Sequence, residues 1–269
     1  MTLATSNSLK EYTDMTGRRV SLSGRPLRIV SVVPSLTELL FHLGLEEEIV
    51  GVTKFCVHPA TLIERKEKVG GTKRLWIDKI KELQPDFIIA NKEENTRSDI
   101  DHLAEVCPVW VSDINNLDEA LVMIREVGKI TFREEEAERL SEDIEKEFSK
   151  LMLVGKRRRK ALYLIWKNPY MSVGADTFIH DMLNRMGMDN VMSHELRYPE
   201  LPENKIRQLA PDFIFLSTEP YPFKQQHAEE LSKVSPRSKI VGVDGEMFSW
   251  YGSRLQYAPA YFRELQELM

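Results

Sequence analysis

Two short stretches concentrate the side chains that could do chemistry. The first, "KFCVHP", brings Lys54, Phe55, Cys56 and His58 together. His58 could ligate a transition metal through a ring nitrogen, although a lone histidine is more often a surface or hydrogen-bonded residue. Cys56 could act as a nucleophile only with an activating base. No histidine–carboxylate relay at recognisable spacing accompanies it, and most free cysteines are packing residues. The second stretch, "MFSWYGSR", carries Phe248, Trp250, Tyr251 and Arg254. A buried aromatic covers about 150–250 Å², so such rings are either core or platforms for a flat ligand. Trp250 and Tyr251 stand beside Gly252, which reads as a loop and favours the platform.

Other candidates are scattered. Trp76 follows "GGTKRL", and Trp166 and Tyr170 end a later strand. Trp110 lies inside a strand and reads as core. Ser35 follows a strand and opens a helix, so its hydroxyl and the nearby amides can meet an anionic or carboxamide group. Ser35 could equally cap that helix in a capping box with Glu38. Lys92, Glu93, Glu94 and Asn95 follow a buried strand, and each taken singly reads as solvated loop. "KRRRK", from Lys156 to Lys160, is the one basic run and reads as a solvated junction.

The composition narrows the classes. The chain has 269 residues, 42% of them apolar, enough for a packed core. Its net charge of −5 is a poor match to broad nucleic-acid binding. Two cysteines, Cys56 and Cys107, cannot build a disulfide framework or a Cys-rich zinc cage. No stretch reaches the roughly 18 uninterrupted apolar residues of a transmembrane helix. The first 25 residues lack the apolar core of a secretory signal, which reads as a cytoplasmic protein as written. A leader removed beforehand would make it periplasmic or membrane-anchored.

The elements that must position these residues alternate. "YTDMTGRRVSL" reads as a hairpin around a Thr-Gly turn. Strands follow at "RIVSVV", "IVGVT", "DFIIA" and "PVWVS", separated by helices at "LTELLFHLG", "IDKIKELQ" and "SDIDHLAEV". Apolar on both faces, these strands predict a parallel sheet covered on both sides. The rhythm then breaks. Apolar residues recur every three to four positions from Leu117 to Leu151, with Asn116 as cap, and predict one long helix over 117–153. About 37 residues would span about 55 Å. Gly128 and the β-branched Ile130-Thr131 mark the place for a bend, the alternative being two helices. Strand and helix then alternate again, through "KALYLIW", "TFIHDMLNRMG", "ENKIRQLA", "DFIFLS", "FKQQHAEELSKV" and "KIVGV", to a closing helix after Arg254.

One phrase is written twice. "KIKELQPDFIIA" (Lys79–Ala90) and "KIRQLAPDFIFL" (Lys205–Leu216) agree at seven of twelve positions, 126 residues apart. Each is a short helix, a Pro-Asp corner and a buried strand. The reading is an α/β chain of two equivalent lobes, 1–116 and 154–269, joined by the helix 117–153. The spacing is far too large for a solenoid repeat.

"RIVSVVPSLTELLFHLGLEEEIVGVT", Gly70-Gly71 and "KELQPDFIIA" resemble the helical-backbone class of periplasmic substrate-binding proteins that serve ABC importers of cobalamin and iron chelates. "GVTKFCVHP" with "KVGGT" looks most like the cobalamin-binding branch. The resemblance covers the chain from about Tyr12 to its end. It implies a ligand cleft between two lobes, a metal chelate as ligand, no intrinsic cofactor, a monomer, and docking on a permease through one acidic side chain per lobe. Asp78 fits the first acid. The repeat offset points to Asn204 for the second, with Glu203 beside it. If His58 ligates a metal, the cobalt of a corrinoid or an iron centre is the candidate. Anionic siderophores call for several arginines, and only Arg254 and Arg74 are obvious, which favours a corrinoid over a ferric siderophore or haem. The competing reading is a cytoplasmic metal- or corrinoid-handling protein or enzyme on the same lobes, using Cys56 and His58.

Overall fold

Two all-parallel sheets built on one strand order organise the chain. The computed structural model describes residues 9–151 and 158–268. In the first sheet β1 (Ile29–Ser31) lies between β2 (Ile49–Val52) and β4 (Phe87–Asn91). The short β3 (Glu67–Lys68) flanks β2, and β5 (Val109–Ser112) flanks β4. In the second sheet β6 (Arg159–Leu164) lies between β7 (Met188–Asn190) and β8 (Phe213–Ser217), with β9 (Lys239–Val243) outside β8. All the pairings within these two sheets are parallel. With the two-residue outer strand β3 set aside, each sheet runs second, first, third, fourth strand. One compact unit comprises the chain up to Asp113 with Glu119–Glu142; the other comprises Ile114–Asp118 with Asp143 onward.

The central strands are apolar because both of their faces are covered. All five residues of β4, and all five of β8, are buried. Leu36, Leu39 and Leu40 on the helix α1 (Pro34–His42) are fully buried in the first unit, along with Ile29, Val30, Ile88 and Trp110. In the second unit Leu162, Leu164, Ile206, Ile214, Leu216 and Leu231 form one cluster. Each such side chain contributes about 1.5–3 kcal/mol on burial. Trp110 is core, as its place inside a strand implies.

The repeated phrase folds into the same corner twice. The helices α2 (Ile77–Glu82) and α3 (Glu203–Leu209) each end at a residue with positive φ, Gln84 at 48° and Ala210 at 43°. Proline follows and cannot continue the helix. The next residue is aspartate. Asp86 accepts the amides of Leu27 and Arg28 at 2.8 and 2.9 Å, just before β1. Asp212 accepts the amide of Lys160, in β6, at 2.8 Å.

The N-terminal hairpin forms as expected, Lys10–Thr13 pairing with Arg19–Leu22 around Gly17. The single long helix does not. Leu117–Thr131 and Glu134–Ser149 are two helices, broken at Phe132 with φ 60°. The amide of Arg133 reaches the carbonyl of Gly128 at 2.7 Å, the six-to-one bond of a Schellman ending. Arg133 then donates to the carbonyl of Leu43 at 3.1 Å, drawing the chain out of line. A Cβ on Gly128 would sit 2.4 Å from that of Ala137, so the second helix folds against the glycine of the first. The bend expected near Gly128 is thus a full stop four residues later. The expected helix residues Met152 and Leu153, and Lys156 and Arg157 of the basic run, lie outside the described residues. The edge strand β7 escaped the sequence reading because Met188–Asn190 is short and carries no β-branched residue.

Two substitutions test this account. Ala210→Gly relieves a left-handed alanine and should raise stability by about 0.5–1 kcal/mol. Gly128→Ala should lower it by about 1–3 kcal/mol through overpacking against Ala137. Urea unfolding curves measure both.

Candidate functional site

In a sheet of this order the chain leaves the first strand to one side and returns for the third on the other. Ligands of open parallel sheets bind at the carboxyl ends of those two strands. In the first unit these are the ends of β1 and β4. Pro34 occupies the first helical position of α1 and Val33 the N-cap, so Ser35 lies inside the first turn and does not cap it. The expected capping box with Glu38 is absent because proline takes the position that starts the helix. Ser35 is 5% exposed.

The floor of this edge is a polar staple. The Asn95 side chain donates to the carbonyls of Val32 at 3.1 Å and Thr72 at 3.0 Å, and accepts the amide of Asn91 at 2.9 Å. It ties the ends of β1 and β4 to the Gly70–Leu75 hairpin. Asn91 in turn holds Ser112 and accepts the amides of Glu93 and Glu94. The loop read as solvated is therefore anchored by a buried asparagine at each end. Lys92 is ion-paired with Asp113 at 2.5 Å.

The "KFCVHP" residues divide. Phe55 is 51% exposed, packed beside the backbone of Gly71, with the Lys54 ammonium 5.0 Å from its ring centre. His58 is half-buried. Cys56 turns inward, its sulfur 3.2 Å from the hydroxyls of both Thr37 and Thr53. Burial pushes its thiol pKa up, against the pull of those hydrogen bonds. A thiol so placed is a poor nucleophile. Trp76 is 53% exposed, and its amide is bonded to Val69 at 2.9 Å, beside the same hairpin as Phe55. Among the described residues no group of three or more histidine, cysteine or acidic side chains could hold a metal ion.

In the second unit the equivalent ends belong to β6 and β8. Trp166 is 41% exposed and meets Tyr221 edge-on at 5.5 Å, so the segment after β6 and the segment after β8 are joined by a pair of rings. Phe223 continues the row, 4.8 Å from Tyr221. The other expected platforms turn inward. Tyr170 packs in the hydrophobic cluster. Phe248 is fully buried between Tyr163 and Phe262, at 5.1 and 4.8 Å. Tyr251 lies edge-on to Phe178 at 5.9 Å. Trp250 donates its indole N–H to Glu219 Oε1 at 3.0 Å, under the Arg254 guanidinium at 5.0 Å. Arg254 is ion-paired with Glu246 at 2.9 Å. The stretch is a loop, as Gly252 suggested, but its rings face the core and leave little surface to a ligand.

Glu219 and Tyr221 are the residues the sequence reading missed. The repeat offset could have found the first, since Glu93 plus 126 is position 219. The parallel is structural too. Ser217 Oγ accepts the amide of Glu219, as Asn91 Oδ1 accepts that of Glu93.

The sequence profile of the periplasmic binding proteins matches residues 29–235. The chain belongs to this periplasmic binding protein family. Among the curated relatives, an uncharacterised ABC transporter substrate-binding lipoprotein of Bacillus subtilis, YvrC, is 26% identical over 75% of this chain and 67% of its own length. A vitamin B12-binding protein of Pectobacterium carotovorum is 22% identical over 87% and 86%. Among solved structures, the periplasmic vitamin B12-binding protein BtuF of Vibrio cholerae superposes with a TM-score of 0.76 at 19% identity, covering 90% of this chain and 98% of that one. The catecholate-siderophore binding protein VctP of the same organism gives 0.79 at 15%, covering 96% and 100%. These structures show the shared two-lobed fold of the periplasmic binding proteins. The cytoplasmic expectation finds no support among these relatives, of which YvrC is a lipoprotein and BtuF and VctP are periplasmic. Among the described residues no helix is long and apolar enough to cross a membrane.

The thiol geometry gives a direct test. Burial raises the Cys107 thiol to about 12, with Asp86 adding to the effect. At neutral pH a disulfide reagent should titrate neither cysteine of the native protein within minutes, and both at once in denaturant.

Proposed function

We propose that this chain is the substrate-binding component of an ABC importer for a metal chelate. A cobalamin-type corrinoid is the favoured ligand, with haem or a ferric siderophore next. The observation that carries this reading is the pattern of exposed rings at the carboxyl edges of the sheets. Phe55 and Trp76 stand half-exposed at that edge in the first unit, and Trp166 in the second. Two of the cations an anionic siderophore would call on, Lys92 and Arg254, are already paired with Asp113 and Glu246. Apolar faces with paired cations suit a broad, flat and nearly neutral guest. The vitamin B12-binding relatives support the same choice. Lys54 and His58, on the loop after β2, would supply polar contacts, His58 being the residue able to reach a metal centre, whereas Ser35 is too buried to offer a ligand much surface. The burial of Cys56 removes the support for thiol chemistry at this edge.

Trp110 and Trp250 are buried, so Trp76 and Trp166 are the solvent-facing fluorophores. Titration with cyanocobalamin should quench the emission saturably. Trp76→Ala and Trp166→Ala should each weaken binding about 10- to 100-fold, as loss of about 1–3 kcal/mol of ring contact implies. No quenching by any corrinoid at high micromolar levels would remove this ligand.

Partner docking is assigned to the two corners. The Asp78 carboxylate is 97% exposed on the first turn of α2, and Glu203 is exposed on the first turn of α3. Each meets a basic residue of a permease in this reading. Asp78→Lys with Glu203→Lys should abolish stimulation of the cognate transporter's ATPase and leave chelate affinity within about twofold.

A further inference from the structure

One carboxylate of the second unit is fixed from several sides and only half used. Glu219 follows β8 at the switch between β6 and β8, two residues before Tyr221. Its Oε1 accepts the Ser249 hydroxyl at 2.7 Å and the Trp250 indole at 3.0 Å. Its amide is bonded to Ser217 Oγ at 3.3 Å. Gly245 walls the stem, since a Cβ there would come 2.6 Å from Glu219 Cγ and 2.4 Å from Ser217 Oγ. The neighbouring guanidinium of Arg254 is ion-paired with Glu246. No described cation pairs with Glu219, and its Oε2 accepts no hydrogen bond from any described residue.

A group that served only Ser249 and Trp250 would need one neutral carbonyl oxygen. A carboxylate costs more to bury, and here the like charges of Glu246 and Asp244 add to that cost. The second oxygen is the part that local structure does not use. It lies on the loop that also carries Tyr221, whose ring meets that of Trp166. A donor arriving from outside the chain would complete it, and an anion arriving there would be repelled.

We propose that Glu219 is a specificity-determining residue whose Oε2 accepts an N–H or O–H from a chelate rimmed with carboxamides or hydroxyls, and which rejects chelates rimmed with carboxylates. This rests on the chelate-binding reading above and narrows it to amide-rimmed rings.

Two corrinoids that differ at the rim test it: dicyanocobinamide, rimmed with amides, and dicyanocobyrinic acid, rimmed with carboxylic acids. Affinities are measured at neutral pH for the parent, Glu219→Gln and Ser249→Ala, with hemin as a third ligand. The parent should prefer the amide over the acid by about 100-fold. Glu219→Gln keeps a carbonyl for Ser249 and Trp250, so its melting curve should stay near the parent's. It should bind the acid about tenfold more tightly and the amide within about threefold of the parent. Ser249→Ala, which removes a structural bond and no charge, should leave the preference unchanged. If the parent binds corrinoids but Glu219→Gln has the parent's preference, the role of Glu219 is overturned and chelate binding stands. Tighter binding of hemin than of cobinamide by the parent overturns it equally. If none of the three ligands binds, the chelate reading itself fails and this proposal falls with it.

Discussion

The carboxylates of Asp86 and Asp212 fix where the first strand of each sheet begins. Each stands after a proline that has stopped a helix, and each takes backbone amides at the mouth of a strand two places away in sequence order. A parallel sheet has no hairpin to set its register, so something else must. A charged acceptor meeting one or two N–H groups contributes about 1.5–3 kcal/mol per bond in favourable settings. That interaction aligns the first and third strands, and everything at their far ends inherits the alignment. The repeated phrase is therefore a register device written once for each sheet.

With the strands aligned, polar residues at their carboxyl ends organise the loops beyond them. In the first unit asparagines take this role, joining β1, β4 and the Gly70–Leu75 hairpin through buried amides. In the second, serine and glutamate take over, with Ser217 bonded to Tyr163 and to both backbone groups of Glu219. The first edge is held by neutral groups and the second by a charged one. The duplication thus preserved geometry and let chemistry diverge, so the two edges offer different contacts.

The architecture was legible because it is written in periodicity and in the repeat. Buried strands of four to six residues and the Pro-Asp corners stood out, and the two main sheets are parallel as expected, while their strand order was not read from the sequence. Helix continuity was not legible. The break at Phe132 depends on Arg133 reaching the carbonyls at the end of α1, a contact ninety residues away. Which residues stand near the carboxyl ends of the strands was legible, and the directions of their side chains were not. A sequence shows that Trp250, Tyr251 and Phe248 crowd together, but not that one indole faces a carboxylate and the others the core. Glu219 was passed over because "TEP" looks like any turn. The offset to Glu93 was the clue, and it matters only once the two edges are compared.

Cys56 has a consequence beyond its failure as a nucleophile. Its thiol is locked between two threonine hydroxyls in a place chosen for packing, and Cys107 is held in its protonated form by burial. Oxidants capture thiolates, and this chain offers almost none. The folded chain therefore offers oxidants and thiol–disulfide buffers little thiolate to react with, on whichever side of a membrane it meets them.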